Sequence, residues 1–196
     1  MPKNVAFYYD YGSPTSYLAW TQLPVICENH GAELIYRPML LGGVFKATDN
    51  RTPVTVKSKG AWMLEDITRY AAHYGVHFVM NPHFIINTLD IMRGAIWAQQ
   101  AGCLDDYNKA MFEAIWVNER NMAETDEIFD VMAECGLNGD AMAEAIQQPK
   151  LKTKLIEVTE GAVARGVFGA PTMFVGDEMH FGQDRLDWVS RALDVD

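Results

Sequence analysis

Four short stretches hold the residues best able to do chemistry. The first is Asp10-Tyr11-Gly12-Ser13-Pro14-Thr15-Ser16, directly after the apolar and aromatic run from Val5 to Tyr9. A strand that ends near Asp10 and a helix that starts just beyond Ser13 put a hydroxyl beside unpaired backbone N–H groups. The helix end there is positive, so the place favours an anion. The same residues also suit plain capping, with Ser13 or Thr15 as the cap and Pro14 in the first turn. A hydrolase nucleophile fits poorly, because the surroundings are not Gly-x-Ser-x-Gly and no histidine is set beside the serine. A phosphoryl-transfer aspartate at Asp10 lacks its second acid, since Gly12 stands two residues on. What remains is a hydroxyl that donates to an anion arriving with a ligand.

The second stretch is Val-Phe-Gly-Ala-Pro-Thr-Met-Phe-Val at 167–175. An X-Pro bond opening a strand after Gly169-Ala170 is a setting for a cis isomer. Ala170 would then offer backbone N–H and C=O to an extended ligand, as an edge strand does. A strand-initiating proline explains the same residues without a ligand. The third stretch is Phe181-Gly182-Gln183-Asp184-Arg185, where Asp184 suits either a cap on the last helix or a ligand's ammonium group. The fourth holds Lys46, Asn50, Arg51, Lys57 and Lys59. A solvated surface accounts for them, but in an acidic chain such a local cluster also draws a carboxylate.

Other residue types narrow the chemistry further. Cys27, Cys103 and Cys135 form no CxxC and are odd in number, so a disulfide framework is not expected and a reducing cytoplasm is the simplest setting. His30, His73, His77, His83 and His180 show no zinc-ligand spacing, and no metal site is expected. The formal charge of −10 argues against binding a nucleic-acid backbone. No apolar run approaches the ~20 residues of a membrane span. The N-terminus reads straight into a strand, without the apolar core of a signal peptide. With 49% apolar and 21% charged residues among 196, one large folded unit or one carrying an insertion is expected.

The elements that must position these residues follow from periodicity and punctuation. Strand 5–9, a helix from about Thr15 to His30 with a kink or break near Pro24, and strand 32–38 give a β-α-β opening with parallel pairing. Residues 41–56, rich in Gly, Thr, Asn and Pro, read as a loop. Helices follow near 57–74, 87–101, 105–119, 125–135, 139–147 and 150–165. Trp62, Met63, Trp97, Met111, Phe112 and Trp116 read as their packing positions. Strands at 171–175 and 179–181 join in a hairpin, and a last helix starts near Asp184.

These pieces resemble a known arrangement. Ser13–Ser16 sits where thioredoxin-like oxidoreductases carry CxxC, and Gly169–Thr172 resembles their cis-proline loop. The helical middle resembles the insertion of the DsbA-like branch. The fold implied is α/β and thioredoxin-like, with 1–40 plus 166–196 as the thioredoxin-like domain and 41–165 as an inserted helical domain. A more specific similarity is to the 2-hydroxychromene-2-carboxylate isomerases and the kappa-class glutathione transferases. It rests on FYYDYGSPTSYLA, NRTP with a following lysine, NPHFIINTLDIMR and VFGAPTMFVGDEMHFGQDRLDWV, in order along nearly the whole chain.

The resemblance implies glutathione as cofactor, with Ser13 as the catalytic residue that keeps its sulfur as thiolate. It implies that Ala170 beside a cis Pro171 pairs with the cysteinyl part. Phe181, Gly182, Gln183 and Asp184 would hold the γ-glutamyl end, and Lys59 would approach the tripeptide. Lys46, Asn50, Arg51 and Phe84 would bind a small aromatic carboxylate. Phe84 stands where the isomerases carry tyrosine, and Gln183 where asparagine or serine is common. The implied activity is interconversion of 2-hydroxychromene-2-carboxylate and trans-o-hydroxybenzylidenepyruvate, by a cytoplasmic homodimer. A glutathione transferase or peroxidase and a non-catalytic thioredoxin-like module are the competing readings. A disulfide oxidoreductase is excluded, because serines hold both CxxC positions and no dithiol can cycle.

Overall fold

A computed structural model describes residues 3–194. Strand β1 (Asn4–Tyr9) is apolar on both faces, as a strand covered on both sides must be. Val5, Phe7 and Tyr9 enter one core, whereas Ala6 and Tyr8 enter a smaller one on the opposite face. Helix α1 (Pro14–Asn29) returns the chain to β2 (Glu33–Pro38), which pairs parallel to β1 from Asn4↔Glu33 to Tyr9↔Pro38. Much later β3 (Thr172–Val175) pairs antiparallel to β1, and β4 (Glu178–Phe181) closes a hairpin on β3. The sheet order is β2-β1-β3-β4, which brings the early strands and the late hairpin into one sheet.

The helices between are α2 (Leu41–Thr48), α3 (Lys57–Tyr74), α4 (Leu89–Ala101), α5 (Leu104–Trp116), α6 (Thr125–Glu134), α7 (Gly139–Gln147) and α8 (Pro149–Ala164). Gly75 and Gly102 stop α3 and α4 with φ of 66° and 75°, the left-handed turn that glycine allows without strain. The main core joins β1 to α5: Tyr9 and Tyr11 pack on Phe112, and the Trp116 indole N–H donates to the Tyr11 carbonyl at 2.8 Å. The Tyr9 and Tyr11 hydroxyls both donate to Asn108 Oδ1 at 2.7 Å, so the polar tips of these buried rings are satisfied. Among the described residues no helix is long and apolar enough to cross a membrane.

Two local expectations are corrected. Residues 41–48 form helix α2 rather than loop. Gly42 and Gly43 argue against a helix by propensity, but packing overrides that. Gly43 lies against α8, and a Cβ there would sit 3.1 Å from Thr159 Cγ2. Pro24 lies inside α1, and the helix continues past it to Asn29. Asp184 does not cap the last helix. The chain turns at Gly182 (φ 102°) into a 3₁₀ turn, Gln183–Arg185, before α9 (Leu186–Asp194), and the Asp184 carboxylate pairs with the Arg185 guanidinium.

Candidate active site

Ser13 is the N-cap of α1, with φ −98° and ψ 111°. Its Oγ accepts the Ser16 N–H at 3.1 Å, so the capping role read from the sequence is real. The hydroxyl keeps its proton for another partner, and two are in reach: the Ala170 carbonyl at 3.3 Å and Thr15 Oγ1 at 3.0 Å. Thr15 Oγ1 donates to the same carbonyl at 3.2 Å. Accepting an N–H polarises the Ser13 hydroxyl and makes it a better donor. No acidic residue lies in the first turn of α1 to offset its positive end. Ser13 is 4% exposed, yet it forms part of a cavity wall.

The other backbone wall comes from the far end of the chain. The Ala170–Pro171 peptide is cis. The Pro171 carbonyl accepts the Gly182 N–H at 3.0 Å, tying the proline loop to the end of β4. Gly169 has no room for a side chain, since a Cβ would lie 2.8 Å from Phe181 Cε2. The Phe168 and Phe181 rings meet at 4.6 Å between centroids. The Tyr74 hydroxyl donates to the Gln183 carbonyl at 2.6 Å and fixes the turn that carries Asp184.

These groups surround one cavity of about 370 Å³. Of the residues expected at a site, Ser13, Asn50, Arg51, Phe84, Ala170, Phe181, Gly182, Gln183 and Asp184 line it. Pro171 follows directly behind Ala170. Asn50 is already engaged: its amide donates to the Phe168 carbonyl at 2.8 Å and its Oδ1 accepts the Arg51 N–H at 2.8 Å. It braces the wall, and Arg51 supplies the cation.

Two lysines stand elsewhere. Lys59 lines a shallow outer recess with Pro53, Trp62 and Met63, three residues that also border the main cavity. Lys46 is not brought to this cavity. It lines a separate space of about 550 Å³ between α2, α4 and α8, with Arg93 and Lys152. Formation of α2 is the reason: Phe45 faces the main cavity, and the next residue around the helix turns toward α8.

The structure adds residues that sequence reasoning did not assign to a site. Phe45 comes from α2, and Trp62, Met63, Asp66 and Ile67 come from one face of α3. Trp62 is not a core position; it is 61% exposed at the cavity edge. The signal was the spacing 62, 63, 66, 67, which puts all four on one helical face. Asp66 adds a second carboxylate to that of Asp184.

No cysteine lines the cavity among the described residues. Burial pushes the Cys27 thiol up to about 11, and burial raises Cys103 and Cys135 as well, so none is held as a thiolate. Asp10 lies 2% exposed behind the Ser13 turn. Burial raises its carboxyl above the usual range, opposed by the N–H groups of Leu41 and Gly12 and by Thr88.

A sheet in this strand order, with a helix N-terminus facing a cis-proline loop, defines a thioredoxin-type site in which hydroxyls replace thiols. A family model of DSBA-like thioredoxin domains matches residues 4–194. A 2-hydroxychromene-2-carboxylate isomerase of Sphingobium xenophagum is 31% identical, over 98% of this chain and 99% of its own. Human glutathione S-transferase kappa 1 is 26% identical over 98% and 92%. A solved 2-hydroxychromene-2-carboxylate isomerase superposes with a TM-score of 0.88 at 28% identity, covering 97% of this chain and 94% of its own. The chain belongs to the DSBA-like thioredoxin family, in the branch that holds these isomerases and the kappa-class transferases.

Proposed function

We propose that the protein is a glutathione-dependent isomerase that interconverts 2-hydroxychromene-2-carboxylate and trans-o-hydroxybenzylidenepyruvate. The observation that carries this reading is Ser13 Oγ, which caps α1 and donates to the Ala170 carbonyl in the wall of the cavity. The residues fit the tripeptide. A thiolate suits the Ser13 hydroxyl and the positive end of α1. An ammonium suits the carboxylates of Asp184 and Asp66, and the extended backbone suits the Ala170–Gly182 cradle.

Glutathione, when bound, would supply a nucleophilic sulfur for reversible addition to the substrate, and it would be regenerated as a cofactor. The chain's own residues do the rest. The Ser13 hydroxyl would hydrogen-bond the sulfur in place of the Ala170 carbonyl. That bond is strongest while the sulfur is an anion, both before addition and after release. Arg51 takes the substrate carboxylate. Phe45, Trp62 and Phe84 enclose the aromatic ring and keep water from the opened chain. Substrate and product are isomers, so no atom is gained and no redox partner is required. Lys59, on the outer recess, adds positive charge near the entrance.

The kappa-class relatives favour one other reading, a transferase that consumes glutathione. One assay separates the two. Protein is mixed with 2-hydroxychromene-2-carboxylate, with and without glutathione, while absorbance and free thiol are followed together. Conversion that needs glutathione and leaves thiol constant is the expected result. Conversion with stoichiometric loss of thiol gives the transferase. Absence of conversion overturns the isomerase reading.

A further inference from the structure

Asp10 does not line the cavity, yet its carboxylate accepts hydrogen bonds from two of the segments that build it. Oδ1 accepts the Gly12 N–H at 2.9 Å, in the turn directly before Ser13. Oδ2 accepts the Leu41 N–H at 2.8 Å, the first residue of α2. Thr88, the residue before α4, stands against the same turn, and its methyl group would lie 3.0 Å from a Cβ on Gly12. Helix α2 has no side-chain cap of its own from Leu40, so a carboxylate from the turn after β1 does that work. Each segment then contributes a wall: Ser13 from the first, Phe45 from the second, and Phe84 from the loop that leads to Thr88.

The geometry points to Asp10 as a positioning residue for the reaction: it fixes the depth of the Ser13 hydroxyl relative to the aromatic wall. Both carboxylate oxygens are held, so the turn before Ser13 and the start of α2 cannot shift independently. A buried acid normally costs stability, and a chain that needed only a capped helix would be served by a serine at the cap position. A carboxylate with two oxygens is what joins two backbone donors from different segments at a fixed spacing. Asp10 acts through Ser13 and is not itself in contact with substrate. This inference rests on the reading of Ser13 as the thiolate's donor.

The test is Asp10→Asn, which keeps size and one acceptor but turns an NH₂ group against one of the two backbone donors. Glutathione is bound to wild type and variant, and its thiolate absorbance is titrated with pH. Electrostatics alone predicts an easier thiolate in the variant, because a nearby negative charge has gone. Positioning predicts the reverse: the titration moves to higher pH as the hydroxyl drifts from the sulfur. With it, kcat falls by the order of 10–100-fold, the scale of a misplacement of about 1 Å, while KM for the carboxylate substrate changes little.

Gly12→Ala provides a second variant that leaves the carboxylate in place and crowds the same junction from the other side, where the new Cβ would lie 3.0 Å from Thr88 Cγ2. It is expected to move the titration in the same direction, and it alone decides if Asp10→Asn does not fold. A titration that is unchanged or moves to lower pH, with kcat per folded molecule intact, overturns the inference and leaves Asp10 as a structural group only. A wild-type protein that shows no thiolate band with glutathione sinks the reading of Ser13 instead.

Discussion

The two sides of the cavity are built by different means. The Ser13 side is made of backbone: a helix N-terminus, the Ala170–Pro171 peptide and the Gly182 turn, tied across the chain by the Ser13–Ala170 and Gly182–Pro171 hydrogen bonds. The opposite side is made of side chains: Phe45 from α2 and Trp62 and Met63 from α3, with Trp62 largely in solvent. A backbone site holds one geometry and suits a constant ligand such as a tripeptide cofactor. A side-chain wall changes one residue at a time and suits a substrate that differs between relatives. The comparison predicts that mutations on the first side change the rate, and mutations on the second change which substrate is taken and how tightly.

The largest effect is expected at Ser13. Ser13→Ala removes the cap and the donor together. Loss of one donor to a developing or resident anion costs on the order of 10²–10³ in kcat, and loss of the cap costs about 0.5–2 kcal/mol of stability. Ser13→Gly separates the two, because glycine at a cap position costs only a few tenths of a kcal/mol. Both variants are expected to lose activity to the same extent, whereas only Ser13→Ala loses much melting temperature. Steady-state kinetics beside thermal unfolding checks this. If Ser13→Gly retains wild-type kcat, the hydroxyl is a cap alone.

A smaller effect, in a different parameter, is expected across the cavity. Arg51 is exposed and pairs with no carboxylate among the described residues, so it is available to a ligand. Arg51→Met keeps the stem and removes the charge. A hydrogen bond to a charged group is worth about 1.5–3 kcal/mol, and solvent at this edge sets the lower end, roughly a tenfold rise in KM. The value of kcat is expected to stay close to wild type. A fall in kcat with KM unchanged would reverse the roles given to the two sides.

The same contrast explains what could be read from the sequence. The backbone side was legible because its parts are local: a strand, a Gly-Ser-Pro turn and a helix within one short stretch, and Gly-Ala-Pro-Thr before a strand. Turn chemistry of this kind depends on neighbours along the chain. The hairpin of β3 and β4 and the glycine stops at Gly75 and Gly102 were legible for that reason too. The side-chain wall was not, because it depends on which face of a helix meets which neighbour. Gly42-Gly43 signalled a loop, whereas the missing side chain at Gly43 is what lets α2 lie on α8. Trp62 had the type and spacing of a packing residue and differs from one only in having nothing above it. Of the two roles open to Asp184, a cap on the last helix is removed by the 3₁₀ turn after Gly182, which leaves its carboxylate on the cavity wall.

Lys46 gives the finest test of the comparison, because the prediction there is of almost no effect. Its neighbours in sequence, Phe45 and Arg51, both reach the main cavity, and by spacing alone Lys46 belongs with them. As α2 is helical, a step of one residue turns the side chain about 100° away, toward α8 and Lys152. Lys46→Met is then a surface substitution away from the site, within about 0.5 kcal/mol in stability and about twofold in kcat/KM. Arg51→Met, five positions on, is expected to raise KM roughly tenfold. Each variant removes one positive charge, so some long-range attraction of an anionic substrate is lost in both. Measuring them side by side at two salt concentrations isolates direct contact from that shared field. Equal losses in the two would mean that the basic cluster acts only as a field. Loss at Lys46 alone would mean that α2 turns its other face to the substrate when the site is in use.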